Sequence, residues 1–208
     1  MSKQDWKLFL SDSKSKIEFA CSVLFLFIVL LAFTQFLNYV EMRDGFVFND
    51  PILSCFPAVD VTWFTFATIY FSLIFAIYYF SKRPNLLLLA LQAFGIMVLF
   101  RMAAMYLLPL NPPQTMIPLT DPFVEFFGTG KTLTRDLFFS GHTATLFLFF
   151  LVSPRGSVKT IFFILTIFVA ASVLAQHVHY SIDVFAAPFF AYAAYRTAIK
   201  LRSIVLNN

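Results

Sequence analysis

Long apolar segments separated by short polar ones dominate the chain and predict a bundle of membrane-spanning helices. A helix needs about 20 mostly apolar residues to cross the hydrocarbon core of a bilayer. Three segments reach that length, and three later ones lie near the lower limit. We therefore predict an all-α fold with six transmembrane helices in a single domain, residues 1–208, with spans at 17–40, 61–80, 86–108, 137–152, 158–176 and 180–195.

The polar segments between these spans predict how the chain sits in the membrane. Eleven of the 15 Lys and Arg residues fall on the side that holds both termini, and Arg43, Arg101, Lys131 and Arg135 fall on the other. Because cytoplasmic loops carry an excess of Lys and Arg, both termini are predicted to be cytoplasmic. Residues 1–16, with aromatic and aliphatic side chains among lysines, read as an interfacial segment. The Pro- and Gly-containing stretch 109–135 reads as a functional loop.

The composition supports the membrane assignment and excludes other classes. The chain is 60% hydrophobic and 12% charged, whereas soluble domains carry about 25% charged residues. The net charge of +4 reads as membrane-orienting charge, because no basic cluster with interleaved aromatics predicts a nucleic-acid partner. Cys21 and Cys55 read as free thiols rather than a disulfide.

The candidate chemistry gathers at the membrane face opposite the termini. His142 lies near the start of the fourth predicted span, His179 and Asp183 open the sixth, and Arg101 lies late in the third. Only Lys and Arg served to orient the chain, yet the two histidines and the aspartate fall on one side. We therefore expect one site, on the non-cytoplasmic (periplasmic or lumenal) face of a multi-pass membrane protein.

The HYSID segment places His179 and Asp183 four residues apart. On a helix these positions share a face, about 5–6 Å apart at Cβ. An aspartate there can accept the imidazole N–H and stabilise the charge that develops on the ring. Charged groups in membrane spans are rare and usually functional. The alternative is a boundary acid at the helix start beside an interfacial histidine.

Further candidates would bind an anion or transfer a proton. In the SGH segment, Gly141 allows a close approach of the backbone, Ser140 offers a hydroxyl, and a helix N-terminus follows; the alternative is an ordinary N-cap. His142 suits general acid–base work on an oxygen. Arg101, within an apolar helix, either snorkels to the interface or meets an anion. Arg135 and Lys131 are weaker phosphate candidates.

Together these residue types suit in-line displacement at phosphorus without a cofactor. The histidine oriented by Asp183 would attack to give a phosphohistidine, and the second histidine would protonate the departing alkoxide. Two His and one Asp make a sparse ligand set for zinc, so no metal is predicted. His177 reads as structural.

Three segments resemble the signature blocks of the sphingomyelin synthase family, within the type-2 phosphatidic acid phosphatase superfamily. RDLFFSGHTATLFLFF and HVHYSIDVFAAPFFAY resemble its third and fourth blocks, and FRMAAMY resembles its second. The resemblance covers about residues 95–195. Val173 stands where the wider superfamily usually has an arginine six residues before the histidine of HxxxD, so classical lipid phosphate phosphatases are a poorer match.

The resemblance implies an activity and roles for individual residues. It implies His142, His179 and Asp183 as the catalytic triad with His179 as nucleophile, and Asp136 matches an aspartate before SGH; Tyr180 is a further supporting candidate. Sphingomyelin synthases move phosphocholine or phosphoethanolamine from a glycerophospholipid to ceramide. The expected partners are therefore a membrane phospholipid donor and a lipid acceptor.

Other functions stay open on the sequence alone. A lipid phosphatase or phospholipase C-like hydrolase would share the phosphohistidine and use water in place of the lipid hydroxyl. A catalytically silent lipid-binding protein predicts a lost triad member, whereas all three are present. A transporter that uses His179 and Asp183 as a proton relay would require ionisable residues near the middle of the membrane, whereas these residues lie toward one face.

Overall fold

The chain folds into helices joined by irregular segments, as the apolar pattern predicts. The computed structural model describes residues 2–120 and 133–207; in these ranges the extended backbone amounts to one isolated bridge, between Phe46 and Leu110. A short 3₁₀ helix covers Leu53–Cys55. The described α-helices are α1 (Ser2–Ser11), α2 (Ser13–Glu41), α3 (Thr62–Ser81), α4 (Pro84–Leu107), α5 (Gly141–Val152), α6 (Ser157–Ala175) and α7 (Ser181–Asn207).

Four of these helices are long and apolar enough to cross a membrane: α2, α3, α4 and α6. They indicate an integral membrane protein. Their outward faces carry large apolar side chains, such as Phe27 on α2, Phe71 on α3 and Phe168 on α6, that remain exposed in the isolated chain. Such surfaces suit contact with lipid rather than with water.

The last predicted spans differ from the observed helices. The predicted span 137–152 is represented by α5, which has 12 residues because its N-cap is Ser140 and the preceding residues run as loop. The predicted span 180–195 extends to Asn207 as α7, and its second half carries Arg196, Lys200 and Arg202. Neither α5 nor α7 is among the four candidate spans, so the count of six is not confirmed.

Helices α4, α5 and α7 form the centre of the bundle. Helix α7 presents Ala187, Ala191, Ala194 and Ala198 to its neighbours, and all four are almost completely buried. Small side chains at this spacing let helices approach closely in a membrane. Around this centre, α2 packs on α4, α6 packs on α5, and α3 packs on α6.

The bundle has two ends with different contents. The site end holds the C-termini of α2, α4 and α6, the N-termini of α3, α5 and α7, and the segment 42–61. Asn111 secures that segment, since its side chain bonds to both the N–H and the C=O of Gly45. A Cβ at Gly45 would lie 2.6 Å from a backbone atom of Leu110, so this approach requires glycine. The opposite end holds α1, whose Trp6 donates to the carbonyl oxygen of Ser81.

Candidate active site

His179 and Asp183 lie together at the start of α7. Nδ1 of His179 is 3.3 Å from Oδ2 of Asp183, and the side chains are 3% and 0% exposed. The backbone N–H of Tyr180 donates to the same carboxylate oxygen, at 3.1 Å. Because α7 begins only at Ser181, the carboxylate also caps the turn that carries the histidine. Asp183 therefore fixes the position of the imidazole and engages its Nδ1.

Asp50 supports the same helix start from a segment distant in sequence. Its Oδ2 accepts the Ser181 N–H at 2.6 Å, and its Oδ1 accepts the Ser181 hydroxyl at 3.0 Å. Burial alone would raise the pKa of Asp50, but the hydrogen bonds from Ser181, Leu53 and Ile52 outweigh it and hold the pKa below its ordinary value. A carboxylate at a helix N-terminus is stabilising. Sequence reasoning did not select Asp50 as a site residue, because no local pattern pairs it with a residue 131 positions away.

Tyr180 ties the helix start to the surrounding loops. Its hydroxyl accepts the Phe48 N–H at 3.1 Å and donates to the carbonyl oxygen of Asn111 at 2.9 Å. Tyr180, a supporting candidate from the sequence, thus connects the segment 42–61 to the chain after α4 through hydrogen bonds.

The SGH segment forms the N-terminus of α5 beside this pair. The backbone N–H of Ser140 donates to the carbonyl oxygen of Asp183 at 3.0 Å, which joins the starts of α5 and α7 directly. The Ser140 side chain is the N-cap and accepts from the Thr143 N–H. His142 lies in the first turn of α5 and is half-buried. The arrangement brings all three catalytic candidates, His142, His179 and Asp183, to one end of the bundle.

Arg101 of α4 lies against the same helix terminus. Its Nη2 forms a 2.7 Å ion pair with Oδ1 of Asp136, and its side chain is 9% exposed, so the charge stays inside the protein. A Cβ at Gly141 would overlap Nη1 of Arg101, so glycine is required for the guanidinium to reach the start of α5. The group that approaches the backbone closely at Gly141 is therefore the guanidinium of Arg101.

Among the buried polar atoms at this site, Nε of Arg101 and Oδ1 of Asp183 have no hydrogen-bond partner in the described part of the chain. Buried polar groups are nearly always paired, and leaving one unpaired costs about 1–3 kcal/mol. An unpaired donor and an unpaired acceptor are what a site that binds a polar ligand would have before the ligand enters. In the described ranges, no three His, Cys, Asp or Glu residues converge as a metal-ligand set.

Arg135, a further phosphate candidate from the sequence, is bound to the end of α2. Nη1 of Arg135 donates to the carbonyl oxygens of Glu41 (3.2 Å) and Arg43 (2.6 Å), and its backbone N–H donates to the Glu41 carboxylate. These bonds attach the chain before α5 to the end of α2 and occupy the guanidinium. Lys131 lies outside the described residues.

His177 occupies a separate polar contact two residues before His179. Its Nδ1 lies 2.6 Å from Oγ1 of Thr115, and its ring packs edge-on against Phe56. Burial lowers the pKa of the imidazole below its ordinary value, which favours the neutral ring. The contacts are those of a structural histidine.

One family model matches the part of the chain that contains these residues. Residues 135–199, about a third of the sequence, match the model described as PAP2 superfamily C-terminal. The matched segment covers α5, α6 and most of α7, and it contains His142, His179 and Asp183. No curated protein sequence matches the chain significantly. The family match supports the type-2 phosphatidic acid phosphatase superfamily, whose members are typically lipid phosphatases or related phosphotransferases.

Proposed function

We propose that the chain is a lipid head-group phosphotransferase that moves phosphocholine or phosphoethanolamine from a glycerophospholipid to the hydroxyl of ceramide or another lipid. The observation that carries the proposal is the buried His179–Asp183 pair, 3.3 Å apart, beside a helix N-terminus and a buried arginine. A carboxylate-oriented imidazole is a nucleophile, and the other two groups bind anions.

The first half of the reaction forms a covalent intermediate on His179. Because Asp183 engages Nδ1, Nε2 is the nitrogen that attacks phosphorus. A P–N bond forms as the bond from phosphorus to the diacylglycerol oxygen breaks, and His142 gives that oxygen its proton. The positive charge that develops on His179 is stabilised by the Asp183 carboxylate.

The second half reverses these steps with a different oxygen. His142, now neutral, takes the proton of the acceptor hydroxyl, and that oxygen attacks phosphorus. The P–N bond breaks, His179 returns to its starting state, and the new phosphodiester leaves. His142 thus gives a proton in the first half and regains one in the second, while His179 carries the phosphoryl group, and neither half requires a metal or cofactor.

The phosphoryl oxygens would be held by Arg101 and the start of α5. Arg101 is kept in place by Asp136 and lies directly against Gly141, at a helix N-terminus, which is a favourable place for an anion. A fixed cation and helix N–H groups stabilise negative charge on the equatorial oxygens without reorganising during the reaction. Ser140 shapes this terminus as its N-cap.

The proposal includes a membrane topology. Helices α5 and α7 would complete six crossings, with α5 short and set deep beside α4 and α7. Both termini would be cytoplasmic because the Lys and Arg residues concentrate at the opposite end of the bundle. The site would then face the periplasm or lumen, where its donor would come from the outer leaflet.

A transfer assay tests the proposal and distinguishes it from hydrolysis. Purified protein in vesicles would receive a glycerophospholipid labelled in its head group, with unlabelled ceramide and diacylglycerol as acceptors, and the label would be followed by thin-layer chromatography. We expect label in a new lipid, which identifies the acceptor. Label released only as water-soluble phosphate or phospho-alcohol would replace the proposal with a hydrolase that uses the same phosphohistidine. No turnover with any head group would contradict both.

A further inference from the structure

A second polar cluster lies within the bundle at the end opposite the active site. Glu18 of α2 accepts hydrogen bonds from Nε of Arg202 (3.0 Å) and from the Gln92 amide (3.1 Å). The Gln92 amide also donates to Ser22, at 2.8 Å. This network joins α2, α4 and α7, and no step of the proposed reaction uses it.

The network forms one wall of a cleft of about 680 Å³. Ligand pockets in proteins are typically about 300–1,000 Å³, so the cleft has the size of a ligand site. Part of its lining is polar, formed by Lys14 and the network residues, and the rest is apolar. The apolar lining consists of Ile17, Cys21, Phe25, Ile96, Ala198 and Leu201.

The depth of the cleft matches one leaflet of a bilayer. From Lys14 to Phe25 the lining follows 11 residues of α2, which is about 16 Å at a rise of about 1.5 Å per residue. Half of a hydrocarbon core about 30 Å thick is a similar distance. A molecule with a polar head at Lys14 and a chain reaching Phe25 would therefore lie in register with the lipids of that leaflet.

The charge of the cleft selects the head group. Its lining contains two cations, Lys14 and Arg202, and one carboxylate, Glu18. Arg202 and Glu18 neutralise each other in their ion pair. Lys14 is exposed at the rim and leaves the lining with a net positive charge. An anionic phospholipid fits this charge better than a zwitterionic one, because the head group of a zwitterionic lipid carries a cation that balances its phosphate.

We propose that this cleft binds one anionic phospholipid from the leaflet opposite the active site. The phosphate lies at Lys14, the polar glycerol region lies along the Glu18–Gln92–Arg202 wall, and an acyl chain occupies the apolar lining. The site takes no part in the transfer reaction, so the test of lipid binding is independent of the proposed activity. The lipid would bridge α2, α4 and α7, the last of which carries His179 and Asp183 at its other end.

Photo-cross-linking with a matched pair of lipids tests this site. The protein would be placed in phosphatidylcholine vesicles containing either phosphatidylglycerol or phosphatidylcholine with the same diazirine-bearing acyl chain. Cross-linked peptides would be mapped by mass spectrometry and normalised to those of the outward face of α3. We expect the anionic probe to label the cleft segments around Cys21 and Ile96 several-fold more than the zwitterionic probe does.

A pair of lysine variants separates a built site from general surface charge. Lys14→Gln removes the rim cation, whereas Lys16→Gln removes an equal charge two residues along α2 that does not line the cleft. A lysine near an anionic headgroup contributes roughly a fivefold gain in affinity. We expect Lys14→Gln to lower the anionic preference by about that factor and Lys16→Gln to preserve it.

Two outcomes would overturn the proposal. Equal labelling of the cleft by both probes would show an unselective lipid-facing groove. An equal fall in the two lysine variants would show that only the diffuse positive potential of this face attracts anionic lipid. Both side chains are exposed, so both variants should remain monodisperse in detergent.

Discussion

Two buried imidazoles stand two residues apart at the site end, and their surroundings differ in one decisive respect. His177 meets a hydroxyl, Thr115, and the edge of Phe56. His179 meets the carboxylate of Asp183. Both rings are almost completely buried, so burial does not distinguish them.

The difference shows that the neighbour, rather than the residue type, decides which histidine can act as a nucleophile. Attack on phosphorus places a positive charge on the ring. Burial opposes that charge at both positions. At His179 the Asp183 carboxylate contacts the ring directly, whereas at His177 the attraction of Asp50 does not outweigh burial. His177 also adopts a positive φ of 55°, and its N–H bonds back to Leu174. It therefore shapes the turn that delivers His179 to the start of α7.

The largest expected effect comes from replacing His179 with alanine. The variant should lose transfer activity by roughly 10³-fold or more, because no other group can form the covalent intermediate. Since His179 precedes the first turn of α7, the variant should stay folded in detergent. Turnover would be measured by the head-group transfer assay, and folding by size-exclusion chromatography. Wild-type turnover in a folded His179→Ala protein would contradict the mechanism.

A smaller effect is expected from Arg101→Ala. Removing a preorganised charge at the reacting group costs about 10²–10³-fold in kcat/KM. Arg135→Ala is the matched control, because its guanidinium is bound to the carbonyl oxygens of Glu41 and Arg43. We expect that variant to lower the thermal midpoint while kcat/KM changes little. Equal losses of kcat/KM in both variants would mean that Arg135 also handles phosphate.

Much of the fold was predictable because the bilayer imposes strong rules. The first three predicted spans agree with α2, α3 and α4 to within a few residues, since length and apolarity define a crossing helix. The i, i+4 spacing likewise brought His179 and Asp183 together, because both lie in or next to one helical turn. In each case the information is local in sequence.

What the sequence did not reveal depends on contacts between distant residues. Asp50 holds the start of α7 from 131 positions away, and its own surroundings, an Asp-Pro in a polar segment, look like an ordinary turn. Arg135 was a phosphate candidate on charge alone, whereas its carbonyl partners lie at the end of α2. The sequence also predicted α5 too long, because the apolar residues before Ser140 looked like part of a span but belong to a loop.

The smallest effect on activity is expected from His177→Asn, which sharpens the comparison between the histidines. Asparagine tolerates a positive φ better than most residues, but it loses the ring contact with Phe56. The variant should change kcat/KM by less than about threefold, which corresponds to about 0.7 kcal/mol. Its stability should fall by about 1–2 kcal/mol, seen as a lower thermal midpoint.

The pH dependence of that midpoint identifies the cause. Burial holds the pKa of His177 below its ordinary value of 6.5, so as the pH falls through 6.5 the unfolded chain binds a proton that the folded chain does not. This group therefore contributes stability that is present above pH 6.5 and is lost as the pH falls toward the folded pKa. The wild-type midpoint should drop more steeply than that of His177→Asn in this window. Parallel curves would mean that His177 is not held neutral by the fold, and a large loss of kcat/KM would place His177 in the reaction with His179.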